Sequence, residues 1–295
     1  MAFLEYKPRS TLFQYSSPDA FFGILRSKHL WFSDLASAND PREIRLGYEH
    51  FIEAVNSARQ NEYRGDRGRF LSRLADELAT YHKNAQAFCC CFSLAVDELP
   101  MWAAYGANYG GVAIGFRPTA VLDMPGRVQK VVYVNENTHE DFRRLVLDIA
   151  AAFDATHDPD DLDYWIAATV GAHSAMTALK HETWRYEREV RVIHMRRIQP
   201  PNKDEDPIFS ITDLLPDGQP LTWTPPLERT SGTKTVKYLQ FPFGRFREGA
   251  FDPSRAIERV IVGPNCPLSL SDVTEAMKEY GFEGFDVGKS VCEIR

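Results

Sequence analysis

Glu187, Glu189 and Arg191 stand at alternate positions in the stretch YEREVRVIHM. On a period of two they share one face of a β-strand with Ile193, while Tyr186, Arg188, Val190, Val192 and His194 take the other. Carboxylates two residues apart on one face repel. Facing a cleft, such a pair raises one pKa or calls for a cationic ligand, and Arg191 can hold one member. The competing reading is an edge strand whose charges form a solvated ladder. Such a ladder guards against edge pairing and contributes only about a few tenths of a kcal/mol per pair. From spacing alone the ladder is favoured.

Two further segments gather polar and aromatic residues. In LFQYSS and LWFSDLASANDPRE, the residues Tyr15, Ser16, Asn39, Asp40 and Glu43 lie at strand ends and turns, where sites collect. Asp40 by itself reads as a turn residue that caps through its side chain. In CFSLAVDELPMWAAYGANYGG, Ser93 ends an apolar strand, and Trp102, Tyr105 and Tyr109 follow it closely. Aromatics at this spacing are usually core. The glycines and Asn108 nearby mark a turn that breaches the surface, where a flat aromatic wall would suit a ring-bearing ligand.

The phosphate-loop, dinucleotide-fold, nucleophile-elbow and HExxH patterns are absent. Cys89, Cys90 and Cys91 are consecutive and have no partner at metal-ligand spacing. They read as small residues of a buried strand, so no metal site is expected. His181 and His194 flank the charged stretch, and a lone histidine is more often structural than catalytic.

The 295 residues carry a net charge of −7, with 44% hydrophobic and 25% charged residues. This is ordinary for a globular protein, and the absence of a basic run speaks against indiscriminate binding to nucleic acid or anionic membranes. No apolar stretch approaches a bilayer-spanning length, and the first residues lack the pattern of a secretion signal. Five cysteines fit a reducing, cytoplasmic setting.

These residues need elements to hold them. LFQYS reads as a strand, Ser17 as an N-cap with Pro18 at the first helical position, and HLWFS as a second strand. Two helices follow, over about 43–59 and 68–84. AFCCCFS is apolar enough for a central strand covered on both faces. A short helix at LPMWAAYG, the strand GVAIGF and the strand VQKVVYV come next, then helices over 139–155 and 161–181. The segment 198–230 is rich in proline and polar residues and reads as a surface excursion, a lid or partner loop on one view and an insertion without function on another. TVKYLQFPF is a strand, and the chain ends strand, helix, strand. Strands and helices do not alternate regularly, so the expected fold is a single α+β domain over residues 1–295, with mixed or antiparallel sheets and inserted helices.

Three segments, ILRSKHLWFSDLASANDPRE, CFSLAVDELPMWAAYGANYGGVAIGF and KHETWRYEREVRVI, resemble in the same order the bacterial domain-of-unknown-function family twenty-nine seventy-one. More distantly, the opening strand followed by SSxxxFxxILxSxxL is similar to the start of ADP-ribosyltransferase-like proteins. That resemblance implies a split sheet core, NAD as co-substrate, and three elements that meet at the site. CFS would supply Ser93 as the second element, and YEREVRV would supply Glu189 as the catalytic carboxylate with Glu187 as its helper. Gln14 and Tyr15 stand where arginine or histidine is expected on the first strand; with Ser16, Asn39, Asp40, Trp102, Tyr105 and Arg191 they would bind NAD. In this reading Tyr105 or Trp102 stacks on nicotinamide, and Arg42 or Arg191 meets the pyrophosphate. The expected activity is cleavage of the nicotinamide–ribose bond and modification of a protein, DNA or RNA target, in bacterial defence or as a toxin, with an antidote protein as a further partner and no membrane. Two alternatives stay open: a non-catalytic binding or regulatory domain of the same fold, and a metal-dependent nuclease or hydrolase using Asp40, Glu43 and Glu189.

Overall fold

The side chain of Ser17 accepts from Ala20 N and caps the first helix, so the opening strand turns at once into a crossover. In the computed structural model, which describes residues 6–38, 43–61, 65–156, 162–198, 221–247 and 250–294, this gives β1 (Leu12–Ser16), α1 (Pro18–Ser27) and β2 (His29–Asp34). Helices α2 (Glu43–Asn61) and α3 (Asp66–Asn84) lead into β3 (Ala85–Ser93), α4 (Leu99–Ala104), β4 (Val112–Phe116), α5 (Pro118–Leu122), β5 (Arg127–Lys130) and β6 (Val132–Tyr133). Then come α6 (Thr138–Thr156), α7 (Leu162–Thr177), β7 (Leu179–Lys180) and β8 (Glu189–Arg197). The chain closes with β9 (Leu227–Ser231), β10 (Lys234–Pro242), β11 (Arg245–Arg247), β12 (Ala250–Asp252), β13 (Ile257–Val262), α8 (Leu270–Glu279) and β14 (Asp286–Lys289).

Among the described residues, ten strands form one sheet that is antiparallel except where β13 meets β14. Its centre is β3, paired along its whole length with β8, which in turn pairs with β5. The other edge of β3 is shared. β1 joins it only at Phe13↔Ser93, and β2 only at Ser33↔Cys89 and Asp34↔Phe88. From those points β1 leads to β4, β13 and β14, and β2 leads to β10 and β9. Between them, Cys90, Cys91 and Phe92 have no strand partner on that edge, and the sheet parts there. The fold is α+β, as expected.

Two hydrophobic clusters hold these parts. Phe88, Cys90 and Phe92 of β3 pack with Phe21 and Leu25 of α1 and with Val273 and Met277 of α8 on one side of the sheet. Phe51, Leu71, Leu74, Phe142, Val146 and Ala172 join α2, α3, α6 and α7 in a separate cluster that also takes Leu179 of β7. Gly47 allows α2 to approach α7: a Cβ there would lie 2.2 Å from Met176 O. Among the described residues no helix is long and apolar enough to cross a membrane.

Several details depart from the sequence reading. β8 is an inner strand, and Glu187, Glu189 and Arg191 are all buried, so the solvated edge ladder is overturned. Glu187 is not in a strand. It ends a 3₁₀ turn over Glu182–Glu187, and Arg188 in the left-handed region (φ 45°) redirects the chain before β8 begins. VQKVVYV divides into β5 and β6 because the bonding to β8 ends with Val131 N to Glu189 O, and Val132 N turns to Ala178 O, where β6 joins β7. The helix expected over 161–181 stops at Thr177, which leaves Lys180 on a short strand. β3 is not covered on both faces, since Cys91 is open to a cleft. Of the excursion over 198–230, residues 199–220 lie outside the described residues, and its end forms the hairpin strand β9.

Candidate functional site

The parting of the sheet opens a cleft of about 790 Å³, lined from β1, α1, β2, β3, α4, β8, β9 and β10. Its wall on the β8 side is built by the turn that surprised the sequence reading. Ser93 Oγ donates to Glu187 O at 2.5 Å and accepts from Ala95 N at 2.8 Å. Leu94 N bonds Arg188 O, and Glu189 N donates to the Tyr133 hydroxyl at 2.9 Å. These bonds fix the backbone of residues 187–189, so that both glutamates reach the same lysine. Lys180 Nζ donates to Glu187 at 2.5 Å and to Glu189 at 3.0 Å.

The two carboxylates are otherwise held differently. Glu189 takes a two-pronged grip from Arg191, Nε at 2.7 Å and a terminal nitrogen at 3.0 Å, while the other terminal nitrogen bonds Thr177 O at 2.8 Å. Glu187 receives the hydroxyl of Tyr105 instead. Burial pushes the Glu187 carboxyl up, the adjacent Glu189 charge adds to it, and Lys180 and Tyr105 only partly oppose them, leaving it at about 7. Burial pushes Glu189 the same way. There, however, the charges of Arg191 and Lys180 and the Arg191 hydrogen bonds outweigh it and hold the carboxyl well below the ordinary range. At neutral pH one acid is fixed as an anion and the other is poised to exchange a proton.

Most of the sequence candidates meet here. Gln14, Tyr15, Ser16, Ser93, Tyr105, Glu187, Glu189 and Arg191 all line the cleft. Their hydrogen-bonding capacities differ. Ser93 is committed to the backbone as described, and Tyr15 donates its hydroxyl to Ala95 O at 3.1 Å. Gln14 brings its amide nitrogen to Cys90 Sγ at 3.5 Å, and its buried Oε1 has no hydrogen-bond partner among the described residues.

Two expectations are corrected. Trp102 is fully buried, packs edge-on against Tyr15 at 4.8 Å and donates Nε1 to Asp97 at 2.6 Å, so it is a core residue and no wall of the cleft. Arg191 spends its guanidinium on Glu189 and Thr177, which leaves it unsuited to grip a pyrophosphate. Asn39, Asp40 and Arg42 lie outside the described residues, as does the side chain of Glu43. The sequence reading missed Lys180, although a paired carboxylate demands a buried cation and this lysine stands seven residues before Glu187. It also missed Trp31 and Arg229, which line the cleft from β2 and β9. Nothing local in the sequence ties these two together.

Fold and site define the class: an α+β protein with a parted, mostly antiparallel sheet and two glutamates clamped by lysine and arginine at the parting. Residues 101–192 match the family described as protein of unknown function (DUF2971), the family that the three sequence segments resemble. The matched segment carries Tyr105, Lys180, Glu187, Glu189 and Arg191. No curated protein and no solved structure matched the chain.

Proposed function

We propose that the cleft binds NAD and breaks its nicotinamide–ribose bond, passing the ADP-ribosyl group to water or to a macromolecule. The observation that carries this reading is the pair of glutamates joined by Lys180, one fixed as an anion and the other poised near neutral pH. Heterolysis of the C–N bond sends its electron pair to nicotinamide, which leaves neutral and needs no general acid. The ribosyl carbon becomes cationic, much as in glycoside hydrolysis. What the reaction then needs is negative charge near that carbon and a base for the incoming nucleophile.

Glu187 fits the base. Its carboxylate takes the proton of water, or of a target hydroxyl or amine, as the new bond to carbon forms. With Glu187 ionised, the cluster of Glu187, Glu189, Lys180 and Arg191 is neutral; with Glu187 protonated it carries a net positive charge, which opposes a cationic transition state. Glu189 and Lys180 are then positioning residues. The unpartnered Gln14 Oε1 is an acceptor for a ribose hydroxyl or the carboxamide. This assignment moves the base from Glu189, where the resemblance alone would put it, to Glu187. In the cell the acceptor would be a macromolecule of the cytoplasm, in defence or as a toxin.

The test is nicotinamide release from NAD by the purified protein, alone and with a cell extract as a source of acceptor. Release is expected to rise with pH through about 7 and to fall at least ~100-fold in E187Q, the scale of a lost general base. No release under either condition, or an undiminished rate in E187Q, refutes the reading.

A further inference from the structure

At the end of the cleft formed by β2, β9 and β10, Arg229 faces Trp31. The guanidinium carbon lies 5.4 Å from the centre of the indole, and one terminal nitrogen donates to Ser33 Oγ at 3.2 Å. Arg229 Nε is buried and has no hydrogen-bond partner, and among the described residues no carboxylate pairs with this arginine. It therefore differs from Arg191, whose charge is answered by Glu189. A partly buried guanidinium whose charge no carboxylate answers calls for an anion, and its planar fork fits the oxygens of a phosphate. Trp31, 45% exposed and backed by Tyr238 at 4.5 Å between ring centres, supplies an apolar plane beside it. Gln240, paired with Trp31 across the strands, adds a polar group to the same wall.

We infer that Arg229 is the phosphate anchor of the cleft, and that the ligand is a nucleotide carrying a pyrophosphate. The anchor rests on the proposed function only in naming NAD as the source of that pyrophosphate. The cleft itself is continuous from Arg229 to Glu187, a length of site that one phosphate ion would not fill. Arg229 takes the role that the resemblance gave to Arg42 or Arg191.

Binding of ADP-ribose, ATP and inorganic pyrophosphate is measured by calorimetry on the full chain, with adenosine as the uncharged comparison. Wild-type protein is expected to bind ADP-ribose with an affinity that falls as salt rises. R229Q is expected to bind it at least about tenfold more weakly, the scale of losing a charged hydrogen-bond donor. R229K should restore part of the loss, and adenosine should be indifferent to the substitution. The melting temperature of R229Q should stay close to that of wild type, since Ser33 is its one hydrogen-bond partner among the described residues. Binding that depends on Arg229 without nicotinamide release would sink the chemistry and leave the anchor standing. Equal binding by R229Q, or no binding of any of the three phosphates by wild type, overturns the anchor whatever the fate of the chemistry.

Discussion

Glu187→Gln separates the charge of the cluster from its shape. Glutamine keeps one acceptor oxygen, for Tyr105 or for Lys180, puts an amide NH2 in place of the other, and cannot ionise. In the wild type the folded state holds Glu187 near 7 against an ordinary value of 4.5. Between those values the folded protein binds the proton that the unfolded chain has released, so stability falls as pH rises through this window. The favourable contribution is complete below 4.5 and gone above about 7. At 1.36 kcal/mol per unit the loss is about 3 kcal/mol. Glu189 acts in another window, because its lowered value makes stability fall as pH drops below 4.5. Urea denaturation of wild type and E187Q at pH 5 and pH 8 measures the difference. E187Q should gain on wild type by about 3 kcal/mol between the two, with equal m-values. Parallel stability curves, or a relative gain for wild type at high pH, would show that the carboxyl is not held protonated by burial and by Glu189. The proposed base would then lose its physical footing.

Lys180→Met leaves Arg191 on Glu189 but takes from buried Glu187 its cationic partner, and should cost about 3–5 kcal/mol at pH 8, less at pH 5 where Glu187 takes up a proton; urea midpoints at both pH values check this. His194 is buried with Nδ1 2.9 Å from Pro125 O and, chiefly through burial, is held down at about 4, so stability falls as pH drops from 6.5 towards 4. His194→Phe should remove up to about 3 kcal/mol of that slope, read from the same denaturation series. Gly47→Ala drives a methyl into the backbone of Met176 and should lower stability by about 1–3 kcal/mol, seen in thermal melting. Asp97 accepts from Trp102, Ser290 and Val291 N, and Asp97→Asn should release the C-terminal segment, detected as faster proteolysis beyond residue 290.

Elements whose signal is local were legible. The Ser17 cap with Pro18 and the periodic helices α2, α3 and α6 stand close to where the sequence places them. The apolar run AFCCCFS marked the central strand. What failed depended on long-range pairing. Whether YEREVRV is an edge or an inner strand is decided by β5 and β3, which lie more than 50 residues away, and alternation looks the same in both cases. The parting of β1 from β2 leaves no sequence mark, because both strands pair normally with their outer neighbours β4 and β10. So the cleft, and the meeting of Trp31 with Arg229 on one wall of it, follow from topology alone.

The carboxylate pair shows the same limit at the scale of single residues. Spacing put Glu187 and Glu189 on one face of a strand, where each would sit in similar surroundings. The left-handed Arg188 replaces that equivalence with a turn, so the glutamates approach Lys180 from two elements and meet different second partners, Tyr105 and Arg191. Two like carboxylates on one strand face would share their protons. Here a neutral hydroxyl on one and a guanidinium on the other separate their proton affinities, and that separation allows one to stay charged while the other exchanges a proton. The residue that makes the site chemical is therefore Arg188, through its backbone, at a position where composition and period show only another surface charge.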